Sequence, residues 1–134
     1  MQTKRMLLAD DDEDDRLLFA EFINEREDME LIHCTGNGLE VVEYLKNTPD
    51  VNNHPHLIIL DHNMPKMNGT QTLAALKSNQ LFSHIPVAIY TTYSHTKLKQ
   101  DCFDAGAAMV TDKPSSPVGY HKMFDEFMKL ISVP

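Results

Sequence analysis

The sequence predicts an α/β fold in which a doubly wound, five-stranded parallel sheet carries five helices on its two faces. Three observations lead to this prediction. Five short apolar segments are typical of strands, segments of helical period separate them, and one strand segment does not alternate apolar with polar residues. That segment, "LIIL" (57–60), is typical of a strand covered on both faces, as in a parallel sheet.

The strand and helix segments alternate along the whole chain. The predicted strands are "RMLLA" (5–9), "MELIHC" (29–34), "HLIIL" (56–60), "PVAIYT" (86–91) and "AAMVT" (107–111). Helical faces are predicted from Leu18, Phe19, Phe22 and Ile23, from Leu39, Val42 and Leu45, from Leu73 and Leu76, and from Phe124, Phe127, Met128 and Ile131. The fourth helix is expected at roughly 95–105, and "NTPDVNNHP" (47–55) is expected to be a loop. This alternation predicts right-handed βαβ units.

Length and composition predict one globular domain over residues 1–134, without a linker or a repeat. The formal net charge of −8 argues against nucleic acid or an anionic membrane as the main partner. The sequence has neither an apolar run that could be inserted into a membrane nor the apolar core of a signal peptide. Cys34 and Cys102 form no CxxC motif, which indicates free thiols in a reducing cytoplasm.

Chemically active side chains follow four of the five predicted strands. In chain order they are Asp10 and Asp11, then Asp61, then Thr91 and Thr92, and finally Lys113. The carboxyl ends of parallel strands meet at one edge of the sheet, so these side chains are expected to lie close together. Three neighbouring carboxylates repel one another, and such a cluster is suited to a cation such as Mg²⁺. A cation beside a lysine and a hydroxyl can stabilise a phosphoryl group, and an aspartate there can be the nucleophile.

Simpler interpretations exist for several of these residues. The acidic residues Asp12, Glu13, Asp14 and Asp15 are expected to serve the first turn of the first helix rather than the site. Asp10 and Asp11 could do the same or cap that helix, and Asp61 alone could be a turn aspartate. The seven histidines are expected at the surface or in loops, and the methionines in the core.

Taken in order, these motifs resemble the receiver domain of response regulators in two-component signalling, of the chemotaxis-regulator type. The resemblance lies in the acidic pair after the first strand, "DHNMPKMNG" (61–69), the threonine after the fourth strand and "DKP" (112–114). The intervals agree as well: Asp61 follows Asp11 by 50 residues, Thr91 follows Asp61 by 30, and Lys113 follows Thr91 by 22. The resemblance implies a flavodoxin-like fold with strand order 2-1-3-4-5.

The resemblance also implies roles for individual residues. Asp61 would be the phospho-acceptor. Asp11 would bind Mg²⁺ directly and Asp10 through water, with Asp61 and the backbone carbonyl of Asn63 completing the protein ligands. The phosphoryl group would be bound by Lys113, by the hydroxyl of Thr91, which also serves the conformational switch, and by the backbone N–H of Thr92. The Lys113–Pro114 peptide bond would often be cis.

The implied protein is a stand-alone response regulator rather than an enzyme. It would receive its phosphoryl group from a histidine kinase or a phosphotransfer protein and act on an unknown output protein. Two alternatives stay open, a receiver-like module that is not phosphorylated and a small Mg²⁺-dependent phosphatase. The phosphatase would require an aspartate as acid and base at the position of Asn63. Val110 replaces the aromatic residue usual in the family. Tyr93 is expected to shield the phosphorylated Asp61 from water, and the alternative is that it points into solvent or a partner surface.

Overall fold

A computed structural model describes residues 2–131 and contains a five-stranded sheet in which all pairings are parallel. The strands are β1 (Lys4–Ala9), β2 (Met29–Thr35), β3 (Leu57–Asp61), β4 (Val87–Thr91) and β5 (Met109–Asp112). Their order across the sheet is β2-β1-β3-β4-β5. Both the parallel sheet and the predicted strand order are confirmed. Residue 1 and residues 132–134 of the expected domain lie outside the described residues.

Five helices connect the strands. They are α1 (Glu13–Ile23), α2 (Gly38–Lys46), α3 (Gly69–Lys77), α4 (Thr96–Asp104) and α5 (Pro117–Leu130). Each begins after a residue whose side chain accepts a hydrogen bond from a backbone N–H of the first turn, namely Asp12, Asn37, Asn68, His95 and Ser116. The predicted loop before β3 contains one short 3₁₀ turn, Val51–Asn53. No helix between residues 2 and 131 combines the length and apolar character needed to cross a bilayer.

The sheet separates two apolar cores, because successive strand residues point to opposite faces. Helices α2, α3 and α4 pack on the face that receives Ile58 and Ile89. Helices α1 and α5 pack on the face that receives Ile59 and Tyr90. All residues of β3 and β4 are buried, as the uninterrupted apolar runs predict.

The predicted helix faces are confirmed for most positions and wrong for Leu18 and Leu39. Leu73, Leu76, Phe124 and Phe127 are buried, whereas Leu18 is 40% and Leu39 41% exposed. In α2 the buried residues are Gly38, Val41 and Leu45. Leu45 is thus where the pattern predicts it, while the other two buried positions precede the predicted Leu39 and Val42 by one residue. A Cβ built on Gly38 would lie 1.7 Å from the Thr72 hydroxyl of α3, so the close approach of α2 and α3 at this glycine fixes the rotation of α2.

Candidate functional site

Two buried carboxylates lie next to each other at the carboxyl edge of the sheet. In the pairing of β1 with β3, Ala9 lies opposite Leu60, so the residues that follow them, Asp10 and Asp61, are neighbours. Asp10 is fully buried and Asp61 is 4% exposed. The apolar strands therefore carry both carboxylates to the rim and hold them in rigid backbone.

A third carboxylate, that of the exposed Asp11, completes an acidic cluster. One oxygen each from Asp10, Asp11 and Asp61 lies within 4.8 Å of the others. Burial raises the pKa of Asp61 to about 6. The hydrogen bond and the charge of Lys113 lower this pKa, and the charge of Asp10 raises it further, but burial has the largest effect. An all-oxygen donor set of this kind fits a hard divalent cation such as Mg²⁺. The predicted grouping of these residues is present in the structure.

Lys113, just after β5, faces this cluster. Its ammonium nitrogen lies 3.0 Å from Asp61 Oδ2 and 3.1 Å from Asp10 Oδ2, and its side chain is only 11% exposed. Burial by itself would lower the pKa of Lys113, but the hydrogen bonds to Asp15 and Asp61 outweigh burial and raise it above its ordinary value. The lysine is therefore a fixed positive charge among the carboxylates.

The expectation that Asp15 serves only the first turn of α1 is wrong. Asp15 accepts a hydrogen bond from Lys113 Nζ at 2.8 Å, so it belongs to the charge network of the rim. Asp12 and Glu13 agree better with the expectation, since Asp12 caps α1 and both are exposed. What separates Asp15 from its neighbours is its place on the side of α1 that faces Lys113, which periodicity within an acidic run could not indicate.

Thr91, Thr92 and Asn63 surround the cluster with different degrees of exposure. Thr91 is buried at the end of β4, and its backbone carbonyl accepts a hydrogen bond from Lys113 N at 2.7 Å. Thr92 and Asn63 are exposed, and the backbone N–H of Asn63 donates to Asp61 Oδ1 at 3.3 Å. The structure thus brings all the predicted site residues to one rim.

The sequence interpretation missed Tyr90, which is fully buried next to Thr91. Its hydroxyl donates a short hydrogen bond to Asp10 Oδ2, and its ring centroid lies 5.1 Å from Lys113 Nζ. Burial raises the pKa of Tyr90, with the charge of Asp10 adding to the effect, so the hydroxyl keeps its proton and acts as a donor. A signal was available in the sequence, because a tyrosine in an otherwise apolar buried strand needs a partner for its hydroxyl.

The structure also locates Val110, Tyr93 and the Lys113–Pro114 peptide bond. Val110 is half-buried and packs against the core on the α2–α4 face. Tyr93 is 71% exposed, with its ring centroid 6.0 Å from that of His95, which agrees with the solvent-facing alternative. The Lys113–Pro114 bond is trans, as are the other peptide bonds within residues 2–131, so the cis form is not found here. Of the histidines, His54 lies in the loop before β3 but is buried.

Comparison with known proteins agrees with this geometry. The pattern of the response regulator receiver domain matches residues 6–125. A protein-glutamate methylesterase/protein-glutamine glutaminase of Clostridium acetobutylicum is 30% identical over 135 residues, which cover 99% of this chain and 37% of that protein. The chain therefore spans about a third of the length of the methylesterase relatives.

A second relative is closer to this chain in length. The response regulator Rcp1 of Synechocystis sp. is 36% identical over 97 residues, which cover 70% of this chain and 65% of that protein. The solved structure of the Mn²⁺-bound form of Rcp1 superposes with a TM-score of 0.79 at 27% identity and covers 98% of this chain and 99% of the other. The family match runs from β1 into α5 and includes every strand end that contributes to the acidic rim. This chain accordingly belongs to the response regulator receiver domain family.

Proposed function

We propose that residues 1–134 form a response regulator domain that accepts a phosphoryl group on Asp61 from a histidine kinase or a phosphotransfer protein. The observation that carries the proposal is the position of Lys113 Nζ, 3.0 Å from Asp61 Oδ2 at the edge of the acidic cluster. A buried carboxylate beside a fixed ammonium is equipped to form an acyl phosphate and to neutralise the charge it brings.

The reaction depends on Mg²⁺ held by Asp10, Asp11, Asp61 and the backbone carbonyl of Asn63. Support comes from the oxygens of the three aspartates, which lie within 4.8 Å of one another, and from the raised pKa of Asp61, which burial causes and to which the charge of Asp10 adds. The Mn²⁺-bound form of the relative Rcp1 is consistent with this assignment. When bound, the ion supplies positive charge to the phosphoryl oxygens and to the carboxylates.

Asp61 acts as the nucleophile. One of its carboxylate oxygens forms a bond to phosphorus while the phosphorus–nitrogen bond of the donor's phosphohistidine breaks, and the electron pair of that bond stays on the donor imidazole. Three groups donate hydrogen bonds to the phosphoryl oxygens: the ammonium of Lys113, the hydroxyl of Thr91 and the backbone N–H of Thr92. Asp61 lies at the buried end of β3 and Lys113 is already 3.0 Å from it, so the nucleophile and its main donor need little reorganisation.

Phosphorylation adds a charge of about −1.5 to −2 at the rim, which attracts Lys113 and Thr91. This shifts an equilibrium between two forms of the surface made by α4, β5 and α5, and an output protein binds one of them more tightly. We place the protein in the cytoplasm, where its free thiols Cys34 and Cys102 would stay reduced.

Intact-mass measurement after incubation with acetyl phosphate and Mg²⁺ tests the proposal. The expected result is one added phosphoryl group in the wild type, none in Asp61→Asn, and normal modification of the control Asp14→Asn, whose side chain is exposed on α1. Peptide mapping of borohydride-trapped protein should locate the group on Asp61. A phosphoryl group on any histidine would contradict the assignment, and an unmodified wild type would favour the receiver-like module that is not phosphorylated.

A further inference from the structure

The side chain of Tyr90 reaches from β4 across the end of β3, which carries Asp61, to Asp10 at the end of β1. In the pairing of β3 with β4, Tyr90 lies directly opposite Asp61, and Asp10 follows β1 on the far side of β3. The tyrosine is long enough for its hydroxyl to reach Asp10 Oδ2. Its ring packs edge-on against Phe19 of α1 at 5.9 Å, so the hydroxyl is held in place from the core side.

In this arrangement both oxygens of Asp10 already have donors. Oδ1 accepts the backbone N–H of Asp12 at 3.0 Å. Oδ2 accepts the Tyr90 hydroxyl and lies 3.1 Å from Lys113 Nζ. The resting protein therefore stabilises the most buried carboxylate of the cluster with its own groups, and Tyr90 supplies the uncharged side-chain donor of this set.

We propose that Tyr90 is a positioning residue that weakens divalent-cation binding, because its hydroxyl stabilises the same Asp10 carboxylate that the cation would stabilise. This inference rests on the proposed function, since it concerns the Mg²⁺ affinity of the acidic cluster. The donor lowers the electron density on Oδ2 and keeps that oxygen turned toward Lys113. Tyr90 and the cation are then competing stabilisers of one carboxylate.

The direction of the effect follows from comparing the two states of the site. Without a cation, removal of the hydroxyl leaves a buried carboxylate short of one charge-assisted hydrogen bond, which destabilises the protein. With a cation bound, the carboxylate already has a positive charge nearby and loses less. Removal of the hydroxyl therefore favours the cation-bound state. A residue that only filled space in the core would destabilise both states equally.

Isothermal titration of the full chain with MgCl₂ measures the effect. Tyr90→Phe keeps the ring and removes only the hydroxyl. Its Kd for Mg²⁺ should be up to tenfold lower than that of the wild type, the limit reached when only the cation-free state loses a charge-assisted hydrogen bond of roughly 1.5 kcal/mol. The control Tyr44→Phe should leave the Kd unchanged, because Tyr44 stacks on His33 of β2 at 4.2 Å and donates nothing to the rim. In thermal denaturation, the Tm deficit of Tyr90→Phe should shrink as Mg²⁺ is added.

A spectroscopic readout follows from the composition. The chain has four tyrosines and no tryptophan, so its near-ultraviolet absorption reports mainly on tyrosine hydroxyls. Saturating Mg²⁺ should produce a tyrosine difference spectrum in the wild type and in Tyr44→Phe that is absent in Tyr90→Phe. An unchanged or higher Kd in Tyr90→Phe, or a difference spectrum that survives in it, would overturn the inference alone. A wild type that binds no Mg²⁺ would overturn the proposed function and this inference with it.

Discussion

Lys113 balances the charge of the rim. Asp10, Asp15 and Asp61 all lie within 3.1 Å of its ammonium nitrogen, and two of these carboxylates are almost fully buried. Breaking a buried ion pair by removing one partner leaves uncompensated charge, which is far more destabilising than losing a surface pair. The three carboxylates should therefore depend unequally on the lysine, and Asp15, which is the most exposed of them, should depend on it least.

We expect Lys113→Met to lower the free energy of unfolding in metal-free buffer by about 3–5 kcal/mol, because two buried carboxylates lose their counter-charge. Asp15→Asn should cost less than about 1 kcal/mol, since its side chain is 30% exposed and its ion pair is screened by water. Urea denaturation in the presence of EDTA measures both. Lys122→Met, at an exposed position of α5, is the matched control. Equal losses in the variants of Lys113 and Lys122 would contradict the balancing role.

A second residue-scale prediction concerns Asp61 and pH. Its pKa of about 6 lies above its ordinary value of 3.8, so between these pH values the native protein retains a proton that the unfolded chain releases. The free energy of unfolding therefore falls as the pH rises through this window. Above pH 6 the buried Asp61 carboxylate is ionised and its full destabilising effect is present. Asp61→Asn removes the penalty, while Lys113 keeps Asp10 and Asp15 as partners.

In metal-free buffer, Asp61→Asn should raise the free energy of unfolding at pH 7 by up to about 3 kcal/mol, the equivalent of two pKa units. The gain should be much smaller at pH 4.5, where the wild-type carboxyl is protonated in the native state. Urea denaturation at the two pH values makes the comparison. If the variant is less stable than the wild type at pH 7, the ion pair between Asp61 and Lys113 stabilises the fold by more than burial of the Asp61 carboxylate destabilises it.

At the scale of elements, the connection from β3 to α3 sets the position of the cluster. The backbone N–H of Gly69 donates to His62 O at 3.0 Å and closes the loop just after Asp61. A Cβ at Gly69 would lie 2.9 Å from His62 Cα and 3.1 Å from Asp61 O, both of them backbone atoms that cannot move aside cheaply. The start of α3 therefore packs directly on the strand end that carries Asp61.

Gly69→Ala should destabilise the protein by about 1–3 kcal/mol, as overpacking against backbone does, and should weaken Mg²⁺ binding because Asp61 shifts with the loop. Gly36→Ala is the matched control, since a Cβ there would meet only Arg16 Nη1 at an ordinary 3.7 Å. Thermal denaturation and magnesium titration of both variants test the pair. Unaltered Mg²⁺ affinity in Gly69→Ala would show that the loop can adjust without moving Asp61.

The same elements show what the sequence could predict. Uninterrupted apolar runs such as 57–60 identify buried parallel strands, and the residue after each run must then lie at the rim. The placement of Asp61 follows from that rule alone, whereas Lys113 lies just after the half-buried β5 and needed the DKP motif as well. The contributions of Asp15 and Tyr90 could not be read in this way, because each depends on how far a side chain reaches across neighbouring elements. The inward face of α2 depends on its packing against Thr72 at Gly38, and spacing within one helix does not contain that information.

For the whole molecule, cation binding and folding should be linked. The three carboxylates come from the ends of β1 and β3 and are brought together only when these strands pair. Mg²⁺ at about 100 times its Kd should therefore stabilise the fold by about 2.7 kcal/mol and raise the Tm by roughly 10 °C. Differential scanning calorimetry over a MgCl₂ series checks this, with NaCl of equal ionic strength as the control. A Tm that responds identically to both salts would mean that no specific site forms.

The contacts of Lys113 limit the free-energy difference between the two forms that the protein can adopt at this rim. An ammonium group has three N–H bonds, and in the resting protein three carboxylate oxygens lie within 3.1 Å of its nitrogen. A newly arriving anionic oxygen must therefore take the place of an existing partner, and the total number of partners stays constant. The free energy released is the difference between two similar bonds, so the two forms of the protein should be close in energy. A binding partner with modest preference for one form could then decide which form prevails.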